Sequence, residues 1–296
     1  MWSTDGSWEV IVNILKPVAK SNFHMHTIFS DGKDNPEDCI LVALDKGMES
    51  IGFSDHVPAP TLNHWSMKAE QVANYLKEIT RLKKKYAKQI EVYTGFEMDY
   101  WVTENKNIIL EYIANADYTI GSVHYIYDKE SAKYYSVDGS AEDVKTTFAV
   151  LGRGDNRICV EAYYLELIRV IRQYKPDIVG HLDIIKKRNQ GDIYFSENEK
   201  WYKKLIDMVL DEITFSQRIV EVNTGSLLCK VLKDTYPSNW ILEKCCQRKI
   251  PIVLNSDAHQ AQDIDGFFGE AITILRQIGF TQRRILRAGK WVDVEL

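Results

Sequence analysis

Seven short β-rich runs recur along this 296-residue chain, most of them separated by helical patterns, and this alternation restricts the fold more than any other feature. The runs are Asn22–His26, Ser50–His56, Ile90–Glu97, Tyr118–His124, Asp177–His181, Arg218–Asn223 and Pro251–Asp257. Each is rich in β-branched or aromatic residues and is followed by turn or polar residues, as short strands are. Between them, Asn35-Pro36-Glu37 reads as N-cap, N1 proline and acidic first turn of a helix that stops near Gly47. Met67–Lys88 is a long amphipathic stretch with a basic tail, and Ser196–Phe215, Ser238–Lys249 and Asp263–Ile278 give further helices. Strand–helix alternation over the whole length predicts parallel strands in one α/β domain, residues 1–296 with a core of about 20–280. Seven strands fit a (β/α)7 TIM-like barrel, one unit short of the common eight. Residues 127–158, with Gly139, Gly152 and Gly154 among mixed charges, read as a long excursion over the barrel mouth.

The six histidines His24, His26, His56, His124, His181 and His259, out of seven in all, sit at the ends of these runs beside acids or one another. The groupings are His24-Met25-His26, Asp55-His56, Glu97, His124, His181-Leu182-Asp183 and Asp257-Ala258-His259. Alternation in a strand puts residues i and i+2 on one face, and imidazole with carboxylate suits zinc, manganese or iron. A lone histidine near a strand end is more often a hydrogen-bonded structural residue. Six of them in ordered clusters, at the strand ends where barrel active sites are built, point to a multinuclear metal enzyme.

Charge narrows the partners. A net charge of −5 leaves no global basic field to recruit long nucleic acid, so a small anionic substrate must be met by local cations or metals. No apolar run approaches the roughly 20 residues of a membrane span. Five cysteines without a CxxC pair, and an N-terminus without a basic-then-apolar leader, lead us to expect free thiols and a cytoplasmic location.

An opening motif and five later ones in register resemble the polymerase-and-histidinol-phosphatase (PHP) superfamily. His24-Met25-His26-Thr27 is followed by Ser30-Asp31-Gly32. The later ones are Gly52-Phe53-Ser54-Asp55-His56, Gly95-Phe96-Glu97-Met98-Asp99-Tyr100, Gly121-Ser122-Val123-His124-Tyr125, Gly180-His181-Leu182-Asp183 and Asn255-Ser256-Asp257-Ala258-His259. The likeness runs from Asn22 to about Glu270. The glutamate motif, the Gly-Ser-Val-His-Tyr run and Glu221-Val222-Asn223-Thr224-Gly225-Ser226 resemble the stand-alone histidinol-phosphatase branch. The resemblance implies a distorted seven-stranded barrel with three divalent transition-metal ions (Zn, Mn or Fe) at its mouth. It implies that His24, His26, Glu97 and Asp257 hold one metal, that Glu97 bridges to a second shared with His124 and His181, and that Asp31, His56 and His259 hold the third. Some relatives carry a histidine one position after Asp31, where this chain has Gly32.

Around those ligands, Asp55, Asp99 and Asp183 are expected to support rather than to ligate. His64 reads as an incidental surface residue. Phosphate needs further cations. Lys186, Lys187, Arg188, Lys230, Arg153 and Arg157 are the candidates, with at least one of Arg157, Arg188 and Lys230 expected to touch phosphate. Trp65, Tyr100, Trp101 and Tyr125 could wall a small heterocycle. The implied activity is hydrolysis of a small phosphomonoester, with L-histidinol phosphate as the leading substrate, Glu97 between two metals, and Asp257 or His259 delivering a proton to the leaving group. The rival readings are a phosphotyrosine or nucleoside bisphosphate phosphatase or an exonuclease on the same site, and a non-catalytic metal-binding module.

Overall fold

The computed structural model describes residues 20–60, 63–99, 101 and 106–296. Seven strands form one parallel sheet: β1 (Ser21–Asn22), β2 (Ser50–Phe53), β3 (Glu91–Asp99), β4 (Tyr118–Ser122), β7 (Ile178–Val179), β8 (Ile219–Asn223) and β9 (Ile252–Asn255), in that spatial order. The hairpin β5 (Tyr125–Asp128) and β6 (Lys133–Ser136) is inserted after β4. A second hairpin, β10 (Gln282–Arg287) and β11 (Lys290–Glu295), follows the barrel.

The sheet curls into a nearly closed barrel. Where β9 meets β1 the ladder is replaced by side chains: Asn22 Nδ2 donates to Ser256 Oγ (2.9 Å), and Phe23 N donates to Asn255 Oδ1 (2.9 Å). Main-chain pairing returns just above, where His26 N donates to the Ala258 carbonyl (2.9 Å). β3 spans both halves of the barrel. Its Glu91–Thr94 half pairs with β2 and its Gly95–Asp99 half pairs with β4. The Tyr118 ring lies across the lumen, with its hydroxyl on the Phe23 carbonyl (2.6 Å). A Cβ at Gly95 would stand 2.3 Å from that ring, so the strand must carry glycine there.

Five of the seven barrel strands end earlier than the sequence suggests, whereas β3 runs on to Asp99 and β8 ends at Asn223 as expected. β2 stops at Phe53 and β7 at Val179, so His56 and His181 lie on the turns just past the ladder. Outside the regular ladder, both residues turn their rings toward Glu97. Nine helices follow among the described residues: α1 (Pro36–Asp45), α2 (Val72–Tyr86), α3 (Lys106–Ala114), α4 (Ala141–Gly152), α5 (Asn156–Tyr174), α6 (Lys200–Ser216), α7 (Gly225–Leu228), α8 (Asn239–Gln247) and α9 (Phe268–Ile278). α2 shows the packing logic. Its buried residues Tyr75, Ile79, Leu82 and Tyr86 recur at helical spacing, and the Tyr75 hydroxyl donates to the carbonyls of Phe53 (3.0 Å) and Gly95 (2.8 Å).

Residues 127–158 are not an irregular loop. They form most of the β5–β6 hairpin and all of α4, which starts at a capping box: Ser140 Oγ accepts from Asp143 N (3.1 Å) while Ser140 N donates to Asp143 Oδ2 (3.0 Å). At the opposite end of the barrel, Ile285 and Leu286 of β10 pack under Phe23, Tyr93, Ile178, Ile219 and Val253, with Trp291 behind them. This hairpin floors the barrel with apolar side chains. No described helix is long and apolar enough to cross a membrane.

Candidate metal centre

The top of the barrel gathers eight acid and imidazole side chains around Glu97. β3 carries this carboxylate into the lumen, where it is buried. Its two oxygens face different partners. Oε2 lies 3.1 Å from His24 Nε2, 3.4 Å from His26 Nε2 and 3.2 Å from His56 Nδ1. Oε1 lies 2.9 Å from His181 Nε2 and 3.6 Å from His124 Nε2. Asp257 Oδ1 adds a second acid, 3.2 Å from His26 Nε2 and 3.5 Å from His24 Nε2. Asp31 sits nearer the surface, 3.4 Å from His259 Nε2 and 3.6 Å from His26 Nδ1.

These atoms resolve into overlapping groups whose donors lie within 4.8 Å of one another. They are His24/His26/Glu97, His24/His181/Asp257, Glu97/His124/His181, His26/Asp31/His56/His259 and His56/Asp99/His124. All nine residues named from the sequence come together. His26 reaches two groups, through Nε2 toward Glu97 and through Nδ1 toward Asp31.

The donor chemistry fits cations. His24 Nε2, both His26 ring nitrogens, Asp31 Oδ1, His56 Nδ1, Glu97 Oε2 and His181 Nδ1 are buried without a hydrogen-bond partner. Each such atom costs about 1–3 kcal/mol if nothing meets it. An isolated cluster of this kind is unstable; one wrapped around metal ions is satisfied. Electrostatics point the same way. Burial lowers the His24 pKa, but the charges of Glu221, Asp257 and Glu97 outweigh that and hold it well above the ordinary value. Burial likewise opposes protonation of His124, yet Asp99 and Glu97 hold it up at about 10. His56, where burial prevails over Glu97, falls to about 4. Glu97 stays ionised despite its burial because His24, His56 and His124 surround it. The carboxylates demand positive charge, which either protons or metal ions can supply.

Surrounding groups fix the rings. Glu221, buried on β8, accepts from His24 Nδ1 at 2.6 Å, from His181 N at 2.8 Å, from Asn255 Nδ2 at 2.9 Å and from Asn223 Nδ2 at 3.0 Å. Asp99 accepts from His124 N (2.6 Å) and lies 3.0 Å from its Nδ1. Asp55 accepts from Thr27 N (2.9 Å) and Ser30 Oγ (2.6 Å), and so shapes the turn that carries Asp31. In that turn a Cβ at Gly32 would stand 2.2 Å from the His26 carbonyl oxygen, so this backbone leaves no room for a histidine there. Asp183 accepts from Ser238 N (2.9 Å) and pairs with Lys186 (2.8 Å), away from the donors. Asp257 holds a left-handed backbone (φ 54°), a strained geometry for an aspartate, and its Oδ2 accepts from Asn223 Nδ2 (3.2 Å). Sequence reasoning alone does not mark Glu221 as a site residue. Its signal was an acid in the middle of the apolar run Ile219–Asn223.

A cavity of about 350 Å³ opens above the cluster. Asp31, His56, Glu97, His124, Asp257 and His259 form its floor. Trp65 and Tyr125 stack as one wall, with ring centroids 5.6 Å apart and planes at 15°, and Trp65 meets His56 edge-on at 4.8 Å. Lys187 and Arg188 line another side with Ser136, Asp138 and Gly139 of the insertion. Lys187 Nζ bonds Asp138 (3.0 Å), and Arg188 Nε donates to the Gly139 carbonyl (3.0 Å).

The other basic candidates are elsewhere. Arg157 is on the outer side of α5, paired with Glu161 (2.7 Å) and stacked over Trp201. Lys230 follows α7, exposed and not lining the cavity. Arg153 pairs with Asp128 and Glu130. Helix and turn direction account for this: Arg157 belongs to the first turn of a helix whose inner face is already filled by Cys159, Val160 and Tyr163. Trp101 is buried beside Trp65, and His64 is exposed in a separate depression with Phe29 and Lys68. Tyr100 lies outside the described residues.

Comparison with known proteins agrees with this geometry. The family model described as the PHP domain matches residues 22–225. The histidinol-phosphatase of Bacillus subtilis is 29% identical over 272 residues, covering 85% of this chain and 97% of that protein. A candidate histidinol phosphatase from Listeria monocytogenes superposes with a TM-score of 0.74 at 24% identity, covering 84% of this chain and 99% of the other. Histidinol phosphate phosphatase of Lactococcus lactis, solved with zinc, L-histidinol and phosphate, gives 0.67 at 20% identity, covering 92% and 98%. Both structures share this fold.

Proposed function

We propose that this chain, which belongs to the PHP domain family, is a metal-dependent phosphomonoesterase that hydrolyses L-histidinol phosphate to L-histidinol and phosphate. The observation that carries the reading is the division of Glu97 between two imidazole groups, Oε2 toward His24, His26 and His56 and Oε1 toward His181 and His124, at the floor of a cavity sized for a small ester. A carboxylate so placed is suited to bridging two cations, since each oxygen can take one. The substrate follows from the relatives, whose named activity is histidinol phosphatase and which match nearly end to end.

We assign His24, His26, Glu97 and Asp257 to one ion, Glu97, His124 and His181 to a second, and Asp31, His56 and His259 to a third. Divalent transition-metal ions held there would act as Lewis acids on phosphate oxygens and lower the pKa of water. The protein's own groups do the rest. Glu221 and Asp99 hold His24 and His124 in the tautomer that presents Nε2 to the centre. Arg188 and Lys187 offer cations to the non-bridging phosphate oxygens from the side of the cavity. The Trp65–Tyr125 wall offers a flat apolar face to an imidazole ring.

In the reaction a water oxygen attacks phosphorus, the bond from phosphorus to the alcohol oxygen breaks, and the proton from that water must reach the leaving alkoxide. We assign that relay to Asp257 or His259, on the cavity floor beside Asp31. The test is a panel on metal-replete protein comprising L-histidinol phosphate, phosphotyrosine, 3′,5′-bisphosphonucleosides and p-nitrophenyl phosphate. L-Histidinol phosphate should have the highest kcat/KM. A tenfold preference for any other ester would replace the substrate while leaving the phosphoesterase assignment in place.

A further inference from the structure

We propose that the outer face of α5 and α6 is the interface through which two copies of this chain associate about a two-fold axis. α6 has two apolar faces. Its inner face, Tyr202, Leu205, Ile206, Val209, Leu210 and Ile213, is buried against the barrel side. Trp201, Met208 and Phe215 form a second line along the helix at intervals of seven residues, the repeat of a helix–helix seam. Phe215 is 88% exposed and Met208 41%. Alongside, α5 carries Ile158 and Leu165 at the same spacing, each 46% exposed. The two helices run parallel. Arg157 stacks on Trp201 near both starts, and Arg172 bonds Glu212 near both ends (2.6 Å). The groove between them encloses about 720 Å³.

Charge identifies the occupant as a second copy. The first two turns of α6 carry Lys200, Lys203 and Lys204, and the turns that follow carry Asp207, Asp211 and Glu212. This order opposes the helix dipole, which favours acids at the start and bases at the end. Within the chain these acids are met only from the flanks of the face, by Arg172 on Glu212, by Lys244 and Arg248 on Asp207, and by Arg248 on Asp211 at 3.6 Å. A two-fold axis across the helices runs the two α6 segments antiparallel, so the lysine end of each meets the acidic end of the other. Isologous contact of this kind needs a self-complementary surface, and this face is one. Met208 sits at the midpoint of Lys200–Ser216 and would meet its own copy on the axis.

Sedimentation of the full chain at micromolar concentration tests this. The wild type should sediment as a dimer. Met208→Glu puts two like charges on the axis, and Phe215→Lys removes an apolar contact at each end; each should give a monomer with an unchanged circular dichroism spectrum. Phe215→Lys is the safeguard against misfolding, because its side chain is almost entirely in solvent. A monomeric wild type overturns the proposal. So does a dimer that survives both substitutions, because the two copies would then meet through another face.

Discussion

Glu221 grips Nδ1 of His24 at 2.6 Å and thereby turns Nε2 of the same ring toward Glu97, 3.1 Å away. One acid orients the imidazole that a second acid faces. Because Glu221 also accepts from the His181 amide, it ties together two strand ends whose histidines share a donor group with Asp257.

Glu221→Gln keeps the shape and most of the hydrogen bonds but removes the charge that fixes the His24 tautomer. Groups that orient ligands in this way are worth about 10–100-fold in metal affinity or activity. Metal titrated into stripped protein should restore phosphatase activity only at correspondingly higher concentration. Recovery at the wild-type metal concentration would reduce Glu221 to a packing role.

Glu97→Gln removes the charge between two donor groups. We expect most phosphatase activity and part of the bound metal to be lost, with the circular dichroism spectrum preserved. Turnover near the wild-type rate would mean that the bridging group is elsewhere.

Elemental analysis of protein purified without chelator should approach three first-row transition metals per chain. Chelation should abolish activity and lower Tm, because the buried nitrogens and oxygens without hydrogen-bond partners would lose their cations. Metal binding should also release protons. Without metal, the pKa values of His124 (about 10) and His259 (about 9) keep both rings protonated at pH 7, whereas ligation needs the neutral ring. Affinity should therefore rise with pH below those values. Calorimetry in buffers of different ionisation enthalpy measures the protons directly. No proton release at pH 7 would refute the picture.

Arg188→Ala should lower kcat/KM for every phosphomonoester by a similar factor, about tenfold or more, since a charge-assisted bond to phosphate is worth roughly 1.5–3 kcal/mol. Trp65→Ala should reduce activity on L-histidinol phosphate more than on p-nitrophenyl phosphate. Arg157→Ala and Lys230→Ala, both away from the cavity, should change neither by more than about twofold. A larger effect from Arg157 than from Arg188 would reverse the assignment of the phosphate side.

The barrel was legible in the sequence because each strand is a compact β-rich run and each donor stands at its end. Less was legible where local signals mislead. Gly152 and Gly154 look like loop residues, but Gly152 closes α4 and Gly154 (φ 94°) forms the turn into α5. The β10–β11 hairpin is hard to read in the sequence because its two-residue turn, Ala288-Gly289, puts an alanine where φ is 48° and a glycine or asparagine is usual. Two charged strands around such a turn read as surface, although Ile285 and Leu286 face the barrel floor. The basic residues around the mouth could not be ranked, since sequence position near a strand end does not tell which way a helix's first turn points. Arg157 opens α5 on its outer side, whereas Arg188 lies in the turn after β7 that lines the cavity.

β3 has one more consequence, for how the protein comes apart. Its backbone is hydrogen-bonded to β2 along one half and to β4 along the other, and the Glu97 amide itself donates toward the Ser54 carbonyl (3.2 Å). The residue at the middle of the donor cluster thus hangs from the strand that couples both sides of the barrel. Fraying at a terminus or an outer loop cannot expose it. The Glu97 amide belongs with the slowest-exchanging protons of the molecule, and heat inactivation should track cooperative melting of the whole barrel rather than precede it.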